Sequence, residues 1–285
     1  MPLVEPQSLE EEYGEEEAVN VRTQLGYFQQ CDIYRDLLKS IQVVVPVRPA
    51  DGMNCQLTRM LSVWYGEGTP WSNINDHMGG FIEMTRANIA HHFIHNDQHA
   101  RFLLMIDNDM EPPLNLPYLL ARHNQPVVGA PAATITQKYG LQLCFTVKDT
   151  EGEYRFPCMK SGAKIPGSGL VEAGHSGTGA ILIRRDVLES FTFKDGDIPF
   201  YVPEDVRTKG AETGHLMIGE DIAFCNAVRE KGFKIHVDLE AHCRHRKTVP
   251  IAWPEYAIDR EMPLDGFVLP KEGHKISGGN GANKS

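Results

Sequence analysis

Short apolar runs that alternate with longer stretches of helical spacing constrain this chain more than any other feature, because a mostly parallel sheet covered by helices requires that alternation. Ser40 to Val47 (SIQVVVPV) is the first strand expected; its Val-Pro ending stops the ladder and opens a loop, VRPADGMN, of the kind where open α/β sheets bind ligands. Phe81 to Asn96 has helical spacing, Arg101 to Ile106 (RFLLMI) reads as a buried strand, and Val127 to Pro131 as another short one. Residues 140–170 carry period-two stretches and glycines, which predict hairpins and a long loop. After GHSGTG come a strand, AILIRR, and a short helix, DVLESF. Gly219 to Gly232 frames the helix EDIAFCNAVREK, with acids in its first turn, bases in its last and glycine at C′. FKIHVDLE alternates apolar Phe233, Ile235, Val237 and Leu239 with polar Lys234, His236, Asp238 and Glu240, the period of a half-buried strand.

With 285 residues, 41% of them hydrophobic and 23% charged, the chain falls in the ordinary globular class and can bury a core. Its longest apolar run, around Ile41–Val47, is far short of the roughly 20 residues that span a bilayer, so no membrane partner is expected. The acidic start, MPLVEPQSLEEEYGEEE, does not resemble a signal peptide, and a cytoplasmic location is expected, the host cytoplasm if the source is viral. Seven glutamates lie between Glu5 and Glu17; without them 31 acids face 28 bases, so the formal charge of −10 sits mainly in that segment and the body is no broad nucleic-acid binder. Residues 1–24 are expected to form an acidic flexible tail, 25–275 a single folded domain and 276–285 a second flexible tail. The six cysteines show no CxxC spacing and read as reduced thiols.

Three places carry chemistry. In FLLMIDNDMEPP an extended backbone turns Asp107 and Asp109 to the same side as the strand leaves the core, and two carboxylates this close suit a hard divalent ion, Mn²⁺ or Mg²⁺, that keeps a substrate diphosphate in its shell. Glu220 and Asp221 open a helix; such acids serve as caps, or as a general base that takes a proton from an attacking hydroxyl. AHCRHRK holds His242 and His245, either of which could complete a metal shell, beside Arg244, Arg246 and Lys247.

Together FLLMIDNDMEPP, GHSGTGAILIRRDVLESF, GEDIAFCNAVREKGFKIHVDLEAHCRH and the Arg86-Ala87-Asn88 step in TRANIAHHF resemble a GT-A-fold glycosyltransferase of the family 2 kind, over about Ser40 to Arg246. The resemblance implies an α/β, Rossmann-like domain for nucleotide-diphospho-sugars, with a mostly parallel central sheet and helices on both faces. It implies metal ligands at Asp107, Asp109 and His245, with Asp109 the more direct of the two acids, and His245, not His242, about 13 residues past Gly232. Asp221 would match the catalytic base of the inverting members and Glu220 its neighbour. The donor, a nucleotide sugar expected to be UDP-linked, would meet Pro46, Val47 and Arg48 at its base and ribose, His175, Gly177, Thr178 and Gly179 would lie where the transferred sugar and the acceptor meet, and Arg86, Asp107 and Asn108 would also belong to the donor site. Relatives of this size in bacteriophages glycosylate hydroxymethylated DNA bases, and others modify glycans; both acceptors stay open, as do a sugar nucleotidyltransferase and a non-catalytic carbohydrate-binding protein of the same fold.

Other signals read as structure. GHSGTGA lacks the GK[ST] ending of a P-loop, His91, His95 and His99 recur on a polar helix face, and WYGEGTPW supplies Trp64, Tyr65 and Trp71 for packing.

Overall fold

The computed structural model describes residues 34–47, 55–75, 82–96, 99–136, 140–148, 152–157, 168–203 and 219–246. The tails expected at 1–24 and 276–285 lie outside them, as does Arg48. After a helical turn at residues 34–39, the elements in chain order are β1 (Ile41–Val47), α1 (Cys55–Gly66), β2 (Trp71–Asn75), α2 (Ile82–Asn96), β3 (Phe102–Ile106), β4 (Met110–Glu111), α3 (Leu116–Ala121), β5 (Val127–Gly129), β6 (Ala133–Thr136), β7 (Gly140–Leu143), β8 (Val147–Lys148), β9 (Tyr154–Arg155), β10 (Leu170–Ala173), β11 (Ala180–Arg184), α4 (Arg185–Glu189), α5 (Glu220–Glu230), β12 (Ile235–Asp238) and β13 (Arg244–His245).

Seven strands form one sheet in the order β10-β12-β5-β11-β3-β1-β2. β2, β1, β3, β5 and β12 run one way, while β11 and β10 run against them. The sheet is therefore mainly parallel, and its alternating side chains feed two cores. Phe102, Leu104 and Ile106 of β3 join Val43, Val45 and Leu182 under α1 and α3, where Leu57, Leu61, Trp64 and Leu120 are buried. Leu103 and Met105 join Val44, Ile181 and Val237 on the other face, under α2, α4 and α5. All five side chains of β3 are buried, which an apolar strand covered by helices on both faces requires.

Two local expectations are corrected. Pro46 does not stop the ladder: it lies inside β1, in register with Ile74 of β2. The missing N–H is tolerated because β3 pairs with β1 only as far as Val44, so beyond it β1 has a single neighbour and behaves as an edge. Asp238 is not on a solvated face but fully buried, because α3 ends above it and delivers Arg122 at 3.1 Å and His123 at 2.8 Å to its carboxylate. Helix α5 ends as expected: Gly232 sits at φ +84°, its N–H bonds the Arg229 carbonyl, and the Phe233 N–H reaches back to Val228, a Schellman closure.

Candidate active site

Strand β1 has β2 on one side and β3 on the other, so the chain reverses its winding direction at β1, and the crevice beyond the carboxyl ends of β1 and β3 is where open α/β sheets bind ligands. Asp107 is the first residue past β3, and its N–H bonds the carbonyl of Gly179 at 2.8 Å. Because β11 is antiparallel, with Ala180 opposite Ile106, Gly177-Thr178-Gly179 enters the sheet at this same edge. The glycines permit close approach: a Cβ on Gly179 would sit 3.1 Å from the Met110 sulfur, and one on Gly177 3.0 Å from the Cys144 Cβ.

Arg86 reaches the crevice from α2. It shares a helix face with Ile89, Ala90 and Phe93, the buried i, i+3, i+4, i+7 stripe, so a cation occupies what is otherwise a core position and is only 2% exposed. One guanidinium nitrogen grips both oxygens of Asp107, at 2.7 and 2.9 Å. The other bonds the Thr178 hydroxyl and lies 3.4 Å from Glu220. Its Nε is buried without a hydrogen-bond partner among the described residues.

Glu220 and Asp221 come from the first turn of α5, where the helix dipole favours negative charge. Burial pushes the Glu220 carboxyl above its ordinary value; Arg86 opposes that shift, and the neighbouring Asp221 and Asp107 carboxylates add to it. Asp221 accepts the Ile222 N–H on Oδ1 at 2.7 Å, and its Oδ2 has no protein donor among the described residues. The two-residue ladder of β13 on β4, with His245 opposite Met110, swings His245 over the strand end. There its Nε2 lies 3.1 Å from Asp109 Oδ2, while Nδ1 is 3.2 Å from the Ala133 carbonyl.

Arg86, Asp107, Thr178, Glu220, Asp221 and His245 line one cavity of about 180 Å³, with Gly177 and Gly179 in its wall. Asp109 stands just outside, held against His245. The structure does not bring His175, Pro46 or Asn108 to this wall. His175 is tied to Thr146 and Asn226, Pro46 is packed at the end of β1, and Asn108 lies in the turn after β3. Met110, Ala130, Ala132 and Cys144 form the apolar side of the cavity. Sequence reasoning missed these four, because small apolar residues carry no chemical signature.

A divalent cation is tested by the donors present. Among the described residues no group of three His, Cys, Asp or Glu side chains is arranged to hold a metal. Asp107 spends both oxygens on Arg86. Asp109 and His245 fit better: two donors at right angles, each about 2.1–2.2 Å from one ion, lie about 3.0–3.1 Å apart, and the Asp109–His245 separation is 3.1 Å. In the tautomer that donates Nδ1–H to Ala133, the lone pair of Nε2 points toward Asp109, the orientation a metal-ligating histidine requires.

His91 and His95 lie side by side, their rings tilted, on the exposed face of α2, Trp64 is buried with its indole N–H on the Leu114 carbonyl, and Cys55, Cys144, Cys225 and Cys243 are free thiols, as the sequence suggests. Cys31 and Cys158 lie outside the described residues.

No protein-family model matches the chain, and no curated protein matches it. Among solved structures it is similar to A197 from STIV, at 16% identity and a TM-score of 0.45 over 73% of this chain and 85% of that one. It is similar to GalNAc-T7 crystallised with UDP, GalNAc and Mn²⁺, at 10% and 0.43 over 76% of this chain and 45% of that one. A third likeness is to the nucleoside-diphosphate-sugar pyrophosphorylase from Vibrio cholerae RC9, at 11% and 0.38 over 72% and 75%.

Proposed function

We propose that this chain is a metal-dependent GT-A glycosyltransferase that moves a sugar from a nucleotide-diphosphate donor, UDP-linked, to an acceptor hydroxyl with inversion. The observation that carries the reading is the convergence of the β3 acids, the α5 acids and the β13 histidine, from three separate stretches of chain, around one cavity at the carboxyl edge of the sheet.

Charge sets the requirement for a cation. Among the described residues that line the cavity, three carboxylates, Asp107, Glu220 and Asp221, stand with one guanidinium and one imidazole, a balance that a cation would shift in favour of a diphosphate. Asp109 and His245 would hold Mn²⁺ or Mg²⁺, which supplies Lewis-acid stabilisation of the charge developing on the leaving diphosphate. Arg86 fixes Asp107 and Thr178 and keeps a positive charge under the same edge. Asp221, through its unengaged Oδ2, takes the proton of the attacking hydroxyl as the new bond forms on the face opposite the leaving group. Glu220, raised by burial, sits beside it as the anchor of Arg86. The cavity is smaller than the roughly 300–1,000 Å³ of sites that enclose whole ligands, so it takes the reacting sugar rather than the complete donor.

The test is incubation with a panel of nucleotide sugars and Mn²⁺, with products read by mass spectrometry. Slow release of nucleoside diphosphate is the expected result, with metal-dependent donor binding abolished in Asp109→Ala, and donor binding kept but transfer lost in Asp221→Ala. Pyrophosphate release instead points to a nucleotidyltransferase, and donor binding with neither product to a non-catalytic protein. The proposed acceptors are glycans or hydroxymethylated DNA bases; a mass shift of hydroxymethylcytosine-containing duplex identifies the second.

A further inference from the structure

A second, larger cavity lies along the face of α5 that carries Ala223, Asn226, Ala227 and Glu230, the i, i+3, i+4, i+7 positions of one helix side. Its volume is about 560 Å³, within the range of small-ligand sites. The opposite wall is the segment 191–203. The first half of that segment is tied down: the Thr192 N–H and the Lys231 ammonium both bind the Asp197 carboxylate, at 2.9 and 2.8 Å, and Lys231 lies over the Phe191 ring.

Three of the four non-glycine residues with positive φ among the described residues fall in this segment: Phe193 (+56°), Asp195 (+52°) and Phe200 (+67°). Bulky residues rarely adopt that conformation, and such outliers persist only where the surroundings enforce them. For Phe200 the enforcing contact is visible, since its ring is buried and stacks on Phe224 at 4.2 Å. The next side chain, Tyr201, is 40% exposed at the cavity wall.

The polar atoms opposite Tyr201 are oriented and available. Thr146 accepts the His175 backbone N–H on its hydroxyl oxygen, which also lies 3.4 Å from Nδ1, and the other ring nitrogen, Nε2, is 2.9 Å from Asn226 Oδ1, so the ring is held between the two side chains. With Oδ1 fixed on His175, the Asn226 NH₂ faces away from it, and neither that NH₂ nor the Glu230 carboxylate has a protein partner among the described residues. Asp197 and Lys231 neutralise each other, so among the described lining residues Glu230 leaves one surplus negative charge, which disfavours phosphate or nucleic acid.

We infer that this cavity is a saccharide-binding site for a neutral oligosaccharide, with Tyr201 as the platform for the C–H face of a pyranose and the Asn226 amide and Glu230 carboxylate as donor and acceptor for its hydroxyl edge. A ring with one apolar face and a rim of hydroxyls, uncharged, matches an aromatic surface set across from one oriented donor and one acceptor. The inference stands apart from the transfer reaction proposed above, since no residue of the catalytic cavity takes part in it.

The test uses the full chain on an array of neutral oligosaccharides that includes N,N′-diacetylchitobiose, cellotriose and maltotriose, followed by saturation-transfer NMR on whatever binds. Binding to at least one of them is expected, weakened at least tenfold by Tyr201→Ala and by Glu230→Gln, both at exposed positions, and undiminished by excess UDP with Mn²⁺. No binding by the wild-type chain, binding unchanged in both variants, or displacement by UDP with Mn²⁺ each overturns the assignment. None of these outcomes bears on nucleoside diphosphate release, so the two proposals fail separately.

Discussion

Replacing Arg86 by methionine removes the cation that, among the described residues, holds three parts of the candidate active site, while keeping most of the volume of the buried stem. Breaking a buried ion pair from one side costs about 3–5 kcal/mol. Here the partners are not fully dry: the Asp107 and Glu220 side chains keep 28% and 20% of their exposure, so water recovers part of the loss and about 2–3 kcal/mol is expected. For a folded body of this size that lowers Tm by roughly 5–10 °C at neutral pH. Glu220 gives the effect a pH dependence. Its folded-state value is already raised by burial, against the pull of Arg86, and deleting Arg86 raises it further. A carboxyl raised on folding destabilises the folded state as pH climbs through its folded value, and the penalty vanishes below its unfolded value of about 4.3. The deficit of Arg86→Met should therefore shrink between pH 7 and pH 4. Adding Asp107→Asn should recover part of it at pH 7, because an uncompensated charge then disappears. Thermal melts of the wild type, both single variants and the double variant at the two pH values measure all of this. A Tm loss under about 2 °C, or a double variant no more stable than Arg86→Met, would refute the clamp.

Glu220→Gln should be more stable than the wild type at pH 7, with the difference fading toward pH 4, because the buried charge is gone; urea unfolding at both pH values measures it. Mn²⁺ with UDP should raise the Tm of the wild type, by the equivalent of about 2.7 kcal/mol at a hundred times Kd, and leave Asp109→Asn and His245→Ala unmoved in the same melts. Gly129→Ala should destabilise by about 1–3 kcal/mol, since a Cβ there meets the buried Ser176 at 1.8 Å from Oγ and 2.9 Å from Cβ, a clash no rotamer of Ser176 relieves; Ser176→Gly in the same chain should restore most of the loss in denaturant titrations.

The parts of the fold legible in the sequence are those where one residue pattern has one physical solution. FLLMI is apolar at every position and is buried on both faces, and the acids, the basic last turn and Gly232 bracket α5 where the dipole and the C′ geometry place them. Chain direction has no such signature: an apolar strand reads the same whether it runs with its neighbours or against them, so the reversal of β11 is absent from AILIR itself. Asp238 follows the alternation of a half-buried strand and is nevertheless dry, because its partners Arg122 and His123 sit more than a hundred residues away. Arg86 was legible as a residue but not as a clamp. Its place in the buried frame of Ile89, Ala90 and Phe93 is the signal, since a cation in an apolar stripe has to find a carboxylate at the end of its reach.

The reversal of β11 is what makes one site out of these scattered residues. β11 has five residues, which in an extended strand span about 17 Å. Run parallel to β3, it would start at the amino edge of the sheet and leave Thr178 roughly that distance from Asp107. Antiparallel, it places Ala180 beside Ile106 and Gly179 on the Asp107 N–H, so Thr178 meets the same guanidinium that holds Asp107 and Glu220. The amino end of α5 is an electrostatically natural place for acids, whereas the carboxyl end of β3 offers no comparable dipole, and neither orients the other. The antiparallel strand, with Arg86 beneath it, joins these two sets of carboxylates in a single cavity with a fixed geometry.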